Sequence, residues 1–236
     1  MTELSDETRT PGDDDAARDA SLQSRPRGVY DVIAMAFVAF LLISNIAATK
    51  LIALPVGPWH LVFDGGAILF PFTYVLGDVL SEVYGFVRAR RVIVLGFAMS
   101  FLASAVFWIV GQAAPAEGYE NQEAFLAVLG FVPRIVAASL AGFLVGQLLN
   151  AWVLVKIKQK WGPDHLWIRL LGSTVVGEAV DTLVFCTIAF YGVITGAEFL
   201  NYLVVGFAYK VAVEAILLPV TYRVIAWVKR TEANAA

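Results

Sequence analysis

Long apolar runs follow one another from Tyr30 to Val228, and each is close to the ~20 residues needed to cross the hydrocarbon of a bilayer. The pattern predicts six spans, at about 30–52, 64–85, 91–111, 132–155, 170–194 and 200–224. A shorter apolar stretch, 123–131, precedes Pro133 and either lies at the interface or extends the fourth span. The polar residues between the runs alternate in kind. Arg25 and Arg27, then Arg88, Arg90 and Arg91, then Lys156, Lys158, Lys160 and Arg169, then Arg223, Lys229 and Arg230 fall on one side. The connection at 112–123 holds Glu117, Glu120 and Glu123 without a Lys or Arg, and 195–199 holds only Glu198. Basic connections stay in the cytoplasm, so both termini are expected there and the number of spans must be even.

The expected class is therefore an all-α integral membrane protein of six transmembrane helices. Its domains would be an acidic, disordered cytoplasmic tail (1–28), a membrane domain (29–230) and a short cytoplasmic tail (231–236). Composition agrees: 59% of the 236 residues are hydrophobic. The net charge of −3 resides in residues 1–28, which hold seven acids and four bases, so the membrane domain is formally neutral and has no basic footprint for nucleic acid. The opening stretch lacks the basic start and short apolar core of a cleavable signal, so the first run is expected to be retained.

The second kind of polar residue lies inside the runs. A charge near the bilayer centre costs roughly 2.5–3.5 kcal/mol on insertion scales, so such residues mark solute pathways by default. Asp78 is ten residues before Arg88, about 15 Å along a helix and near the midplane, with Glu82 one turn nearer the cytoplasm. Tyr74, Asp78 and Glu82 share one helix face. Pro71, within Phe70-Pro71-Phe72, is expected to kink or break the second span, and such breaks survive where they line a polar cavity. In the fifth span Thr174, Glu178, Asp181, Thr182 and Phe185 form one stripe, and its two acids repel unless one holds a proton. Bracing of neighbouring helices is the alternative use of these acids. In the sixth, Lys210 and Glu214 stand at i and i+4, a spacing that permits an ion pair within the helix. Arg134 either attracts solute or snorkels to the outer headgroups. Asn45 in the first span and Gln147 in the fourth can reach a central cavity. Ala138, Gly142 and Gly146 make a small-residue stripe for close helix approach, inside the fold or across a homodimer.

Thr73-x3-Gly77-Asp78-x3-Glu82 echoes Thr174-x2-Gly177-Glu178-x2-Asp181. These are the middle members of two three-helix halves that run oppositely, so a 3+3 inverted repeat with the site at its interface is one reading. Chance likeness of two short acidic stretches is the other.

No nucleotide-binding fingerprint occurs, and Cys186 is the sole cysteine, so neither a cofactor nor a metal is expected. His60 and His165 lie in connections, away from the depth of the acids. A solute carrier is the first reading and an exporter or small-cation channel another. An intramembrane enzyme is the reading from a different class, and it would need Asp78 and Asp181 to act together as an aspartyl pair.

The chain also resembles the queuosine precursor transporter family, also called the vitamin uptake transporter family. The matching pieces run in order: Ser44-Asn45; Phe70-Pro71-Phe72 then Asp78; Ala89-Arg90-Arg91; Arg134 with Ala138-Ser139; Gly146-Gln147; Ser173-Thr174 through Asp181-Thr182 and Phe185; and Lys210 with Pro219. The resemblance implies a multi-pass inner-membrane carrier that takes up 7-deazaguanines such as preQ0 or preQ1. Asn45, Phe70, Tyr74, Asp78, Gln147, Glu178, Asp181, Phe185 and Lys210 are then expected to contact substrate, with Glu82, Arg134 and Glu214 in coupling or gating.

Overall fold

A computed structural model describes residues 28–57, 59–161 and 166–235. The acidic tail through Arg27, His165, and the side chains of Lys158, Lys160, Arg169, Ser173 and Thr174 lie outside the described residues. Helices dominate. Four stretches are long and apolar enough to cross a membrane, Tyr30–Ala47, Phe70–Gln112, Gln122–Asn150 and Gly196–Asn234. The protein is an all-α membrane protein with one small β-hairpin.

Helix α1 (Tyr30–Ala47) closes with Ala48 and Thr49 bonded back to Ser44 and Ile46. Strands β1 (Leu51–Val56) and β2 (Trp59–Asp64) then pair antiparallel, Leu51 opposite Asp64 and Val56 opposite Trp59. This hairpin replaces the helix predicted for 51–52 and the start predicted for the second span at 64. Asp64 ends β2 by accepting a hydrogen bond from the Gly66 amide (2.8 Å), which caps the 3₁₀ turn Gly65–Ile68.

Helix α2 (Phe70–Gln112) begins only after that turn. Pro71 consequently sits in the first helical turn, where its missing N–H has no partner to lose, and it starts the helix without kinking it. The break comes at Gly85, whose φ of 80° and ψ of 165° belong to a region essentially restricted to glycine. Its consequence is large. In one straight helix Gly77 and Gly96 would stand about 28 Å apart. Both instead lie against the single ring of Phe37, whose atoms are 3.8 and 3.7 Å from a β-carbon placed at either position. The halves 70–84 and 86–112 therefore fold back on each other.

Helix α3 (Gln122–Leu129) takes up most of the 123–131 stretch and is tied to the end of α2 by Gln122, which donates to the Gly111 carbonyl at 3.1 Å. Helices α4 (Val132–Trp161), α5 (Leu166–Phe190) and α6 (Gly196–Ala235) complete the chain, α6 continuing through 231–235. The α4–α5 pair is the most extensive. Gly142 and Gly146 of α4 lie on Asp181, and Gly177 of α5 lies on Gly146 and Asn150, so the small-residue stripe is spent inside the fold.

Two apolar cores result. One joins Ile33 and Phe37 of α1 to Val79, Leu80, Ala89 and Val92 of α2 and Val228 of α6. The other joins Ile135 and Ala138 of α4 to Cys186, Ala189 and Phe190 of α5 and Tyr202 of α6. Cys186 packs there as a buried apolar residue.

Candidate functional site

A cavity of about 490 Å³ lies among α1, both halves of α2, the hairpin, α4, α5 and α6. Its size is in the range of small-molecule sites. Every residue assigned from sequence to substrate contact lines it: Asn45, Phe70, Tyr74, Asp78, Gln147, Glu178, Asp181, Phe185 and Lys210, and Glu214 joins them. They come from five helices, which the fold-back at Gly85 and the glycine contacts of α4 and α5 hold together.

The polar centre is a chain of contacts across three helices. Tyr74 of α2 donates its hydroxyl to Glu178 of α5. The Lys210 ammonium of α6 donates to Asp181 and stands 3.4 Å from the second oxygen of Glu178. Its nitrogen is also 5.2 Å from the centre of the Phe70 ring, a cation–π placement. Lys210 thus reaches across to α5 rather than to Glu214 on its own helix. Phe70 and Tyr74 lie with ring centres 4.5 Å apart.

Asn45 is buried and bonded through both ends of its amide, donating to Ser100 (3.3 Å) and accepting from Ser139 (3.0 Å). It ties α1 to α2 and α4. Gln147, Asp78 and Glu214 make no hydrogen bond among the described residues, so their polar groups face the cavity unspent. The oxygens of Asn150, Thr182 and one from Glu178 are buried without a hydrogen-bond partner among the described residues. Buried polar groups in that condition call for a partner.

Glu82 and Arg134 lie elsewhere. Glu82 pairs with Lys229 at 2.9 Å on the exposed surface. Arg134 donates to the carbonyls of Ile188 (2.7 Å) and Tyr191 (2.6 Å), capping the end of α5. It neither faces the cavity nor snorkels free.

Sequence reasoning missed an outer wall made by the hairpin. Phe63, Asp64, Gly66 and Ala67 line the cavity, and α6 fastens them there. Tyr202 donates to Asp64 (2.6 Å), and Tyr209 donates to the Ala67 carbonyl (2.8 Å). Asn201 accepts from the Val62 amide (3.1 Å) and donates to the His60 carbonyl (2.8 Å), so its amide serves the strand edge as a third strand would. The available signals were Pro55 and Gly57 within the apolar run, and an Asp before Gly65-Gly66.

Five carboxylates (Asp64, Asp78, Glu178, Asp181, Glu214) and one ammonium therefore line the cavity. Such a wall accepts cations and hydrogen-bond donors. Asp181 holds an ammonium in place of a second carboxyl, which is not the shared-proton pair that aspartyl hydrolysis requires. Among the described residues no group of three His, Cys, Asp or Glu is placed to hold a metal ion.

Residues 64–224 match the model of a family described as "Putative vitamin uptake transporter". The chain is similar to a protein named probable queuosine precursor transporter in Bacillus subtilis (strain 168), with 32% identity over 158 residues, covering 66% of this chain and 69% of that one. A protein of the same name in Haemophilus influenzae is 31% identical over 128 residues, covering 53% and 51%. The protein named queuosine precursor transporter in Escherichia coli (strain K12) is 26% identical over 184 residues, covering 76% and 80%. No solved structure matches the chain.

Proposed function

Because the chain belongs to the vitamin uptake transporter family, we propose that it imports queuosine precursors, the 7-deazaguanine bases preQ0 and preQ1, across the cell inner (cytoplasmic) membrane. One observation carries the reading beyond the family: Glu178 and Asp181 line the same cavity as the Phe70 and Tyr74 rings, with Tyr74 bonded to Glu178. A 7-deazaguanine offers a ring N–H and an amino group side by side, which a carboxylate accepts in a bidentate manner. Its flat ring suits the aromatic faces of Phe70, Tyr74 and Phe185. Its carbonyl needs a donor, and Gln147 is the amide free to provide one, since Asn45 is engaged. The aminomethyl group of preQ1 is cationic and suits the excess of acids.

In this reading the six crossings are α1, 70–84, 86–112, α4, α5 and α6, with both termini cytoplasmic. The site is exposed alternately to each side by movement between the 28–112 half and the 132–235 half. Asp78, Glu178 and Asp181 hold the base or a coupling proton, with Lys210 setting their charge. Glu82 and Arg134 brace the fold outside the site.

The test is uptake of labelled preQ0 and preQ1 in cells that neither make these bases nor carry another importer. Cells expressing the protein are compared with cells expressing Asp181→Asn at equal level. Uptake with the protein and its loss in the variant support both the substrate and the site. Equal uptake in both retains the substrate and removes Asp181 from the essential set. No uptake by well-inserted protein removes the substrate.

A further inference from the structure

The Lys210 ammonium occupies the ground that a substrate needs. A donor-bearing planar base requires the Glu178 and Asp181 oxygens for its N–H groups and an aromatic face for its ring. Lys210 donates to Asp181, lies 3.4 Å from Glu178 and stands over Phe70, so it takes both at once. The other Glu178 oxygen is already used by Tyr74. While the ammonium stays, it faces one oxygen of each acid and the Phe70 ring together.

A second place for the ammonium exists on the same helix. Glu214 is one turn along α6 at i+4, lines the same cavity and makes no hydrogen bond among the described residues. A lysine stem spans that distance without any backbone movement. Asp78 lines the same cavity.

We infer that Lys210 is the carrier's own substitute for substrate. It rests on Glu178 and Asp181 when the site is empty, shifts to Glu214 when a base binds, and returns to displace the base on release. This rests on the proposed reading of the substrate as a donor-bearing base, and it adds how the empty carrier completes its cycle. An emptied site left with bare carboxylates would have to pass between its two exposures closed off from water and uncompensated, at the cost that buried unpaired charge carries. Lys210 removes that cost. Its loss should therefore strengthen binding while stopping net transport, the reverse of what a direct substrate contact would show.

The experiment uses purified full-length protein, with 7-deazaguanine and its aminomethyl derivative as probes. Binding is measured at equilibrium in detergent. In proteoliposomes, net uptake into empty vesicles is compared with exchange into vesicles preloaded with the same base. In Lys210→Met, affinity is expected to rise about tenfold, the scale of one charge-assisted hydrogen bond no longer broken on binding. Net uptake is expected to fall about tenfold or more while exchange persists. Glu214→Gln, which removes the alternative resting place, is expected to weaken binding of the uncharged parent base several-fold in the native background and not at all beside Lys210→Met. Where Lys210→Met folds poorly, Glu214→Gln alone tests the inference, and unchanged or tighter binding of the parent base in that single variant would overturn it. Weaker binding in Lys210→Met, equal loss of exchange and net uptake, or an undiminished Glu214→Gln effect beside it would each overturn the inference. Native protein that binds neither base would instead overturn the substrate reading on which it stands.

Discussion

Gly146→Ala isolates the contact that fixes Asp181. A β-carbon at Gly146 would lie 2.8 Å from the Asp181 β-carbon, 2.9 Å from the Gly177 carbonyl and 3.4 Å from the Asp181 α-carbon. Carbon atoms in contact prefer about 3.5–4.0 Å, so the shortfall is about 0.7–1.2 Å against a β-carbon that the backbone fixes and no rotamer change can relieve. Helix α5 must retreat from α4. Overpacking of this kind costs typically about 1–3 kcal/mol. Against it stands the helix preference of alanine over glycine, about 1 kcal/mol, which leaves a net loss of up to about 2 kcal/mol. Gly77→Ala and Gly206→Ala gain the same preference, yet their nearest neighbours lie at 3.8 and 3.7 Å, an ordinary contact. Thermal unfolding in detergent should therefore split the three: Gly146→Ala below the native protein, by about 2–4 °C per kcal/mol lost, and the other two at or above it. Uptake by Gly146→Ala should fall about tenfold or more, because displacement of a functional group by ~1 Å can cost as much as a hundredfold. A Gly146→Ala protein that melts as high as Gly206→Ala would refute the reasoning.

Gly85→Ala adds a β-carbon that meets nothing within 4 Å, so its entire effect is the backbone cost of φ 80°, ψ 165° for a non-glycine residue, about 1–3 kcal/mol; thermal unfolding measures it, and an unchanged midpoint would contradict the fold-back. Asn201→Ala strips the β2 edge of both side-chain partners, so the Val62 amide should exchange hydrogen at least about tenfold faster, while exchange in the α4–α5 core stays as it was. Arg134→Gln loses the two-pronged cap on α5 and should destabilise by about 0.5–1.5 kcal/mol per bond lost with uptake per folded molecule preserved; a selective fall in uptake would return Arg134 to the gating set. Collapse of the proton gradient should end accumulation of the base if the midplane acids couple to protons, and undiminished accumulation would remove that coupling.

The meeting of the acids was legible because helix rise converts residue number into distance. Counting from Arg88 and Arg169 puts Asp78, Glu178 and Asp181 near one level, and the fold brings them to one cavity. Partnership was not legible. Spacing along α6 offers Glu214 to Lys210, whereas the partners used are on α5, and pairing between helices depends on crossings that periodicity does not encode. The hairpin escaped because Leu51–Val56 and Trp59–Asp64 are as apolar as the spans they adjoin, and hydropathy alone does not distinguish strand from helix in so short a run. Misplacing the start of the second span by six residues then turned Pro71 from a helix starter into an apparent kink. The true break, Gly85, is one of 19 glycines, and only its backbone angles distinguish it.

The echo between Gly77-Asp78 and Gly177-Glu178 extends to contacts. In each, the glycine lies on the first helix of its half, Gly77 on Phe37 of α1 and Gly177 on Asn150 of α4, while the adjacent acid lines the cavity. The shared arrangement supports the inverted-repeat reading, and the difference between the halves is informative. Around Gly177, Gly146 and Gly142 the backbones meet with no room for a methyl group, so α4 and α5 behave as one body carrying Glu178 and Asp181. Around Gly77 the neighbour is the edge of a phenylalanine ring at 3.8 Å, and the two helical segments beyond it turn on the single residue Gly85. A packed pair cannot slide without clashing, whereas a ring contact beside a glycine turn can. The α1–α2 half, which carries Phe70, Tyr74 and Asp78, is then the part expected to move across the fixed α4–α5 wall. The Tyr74–Glu178 hydrogen bond joins the two, and under the proposed alternating exposure it would break or be exchanged for a contact with the base.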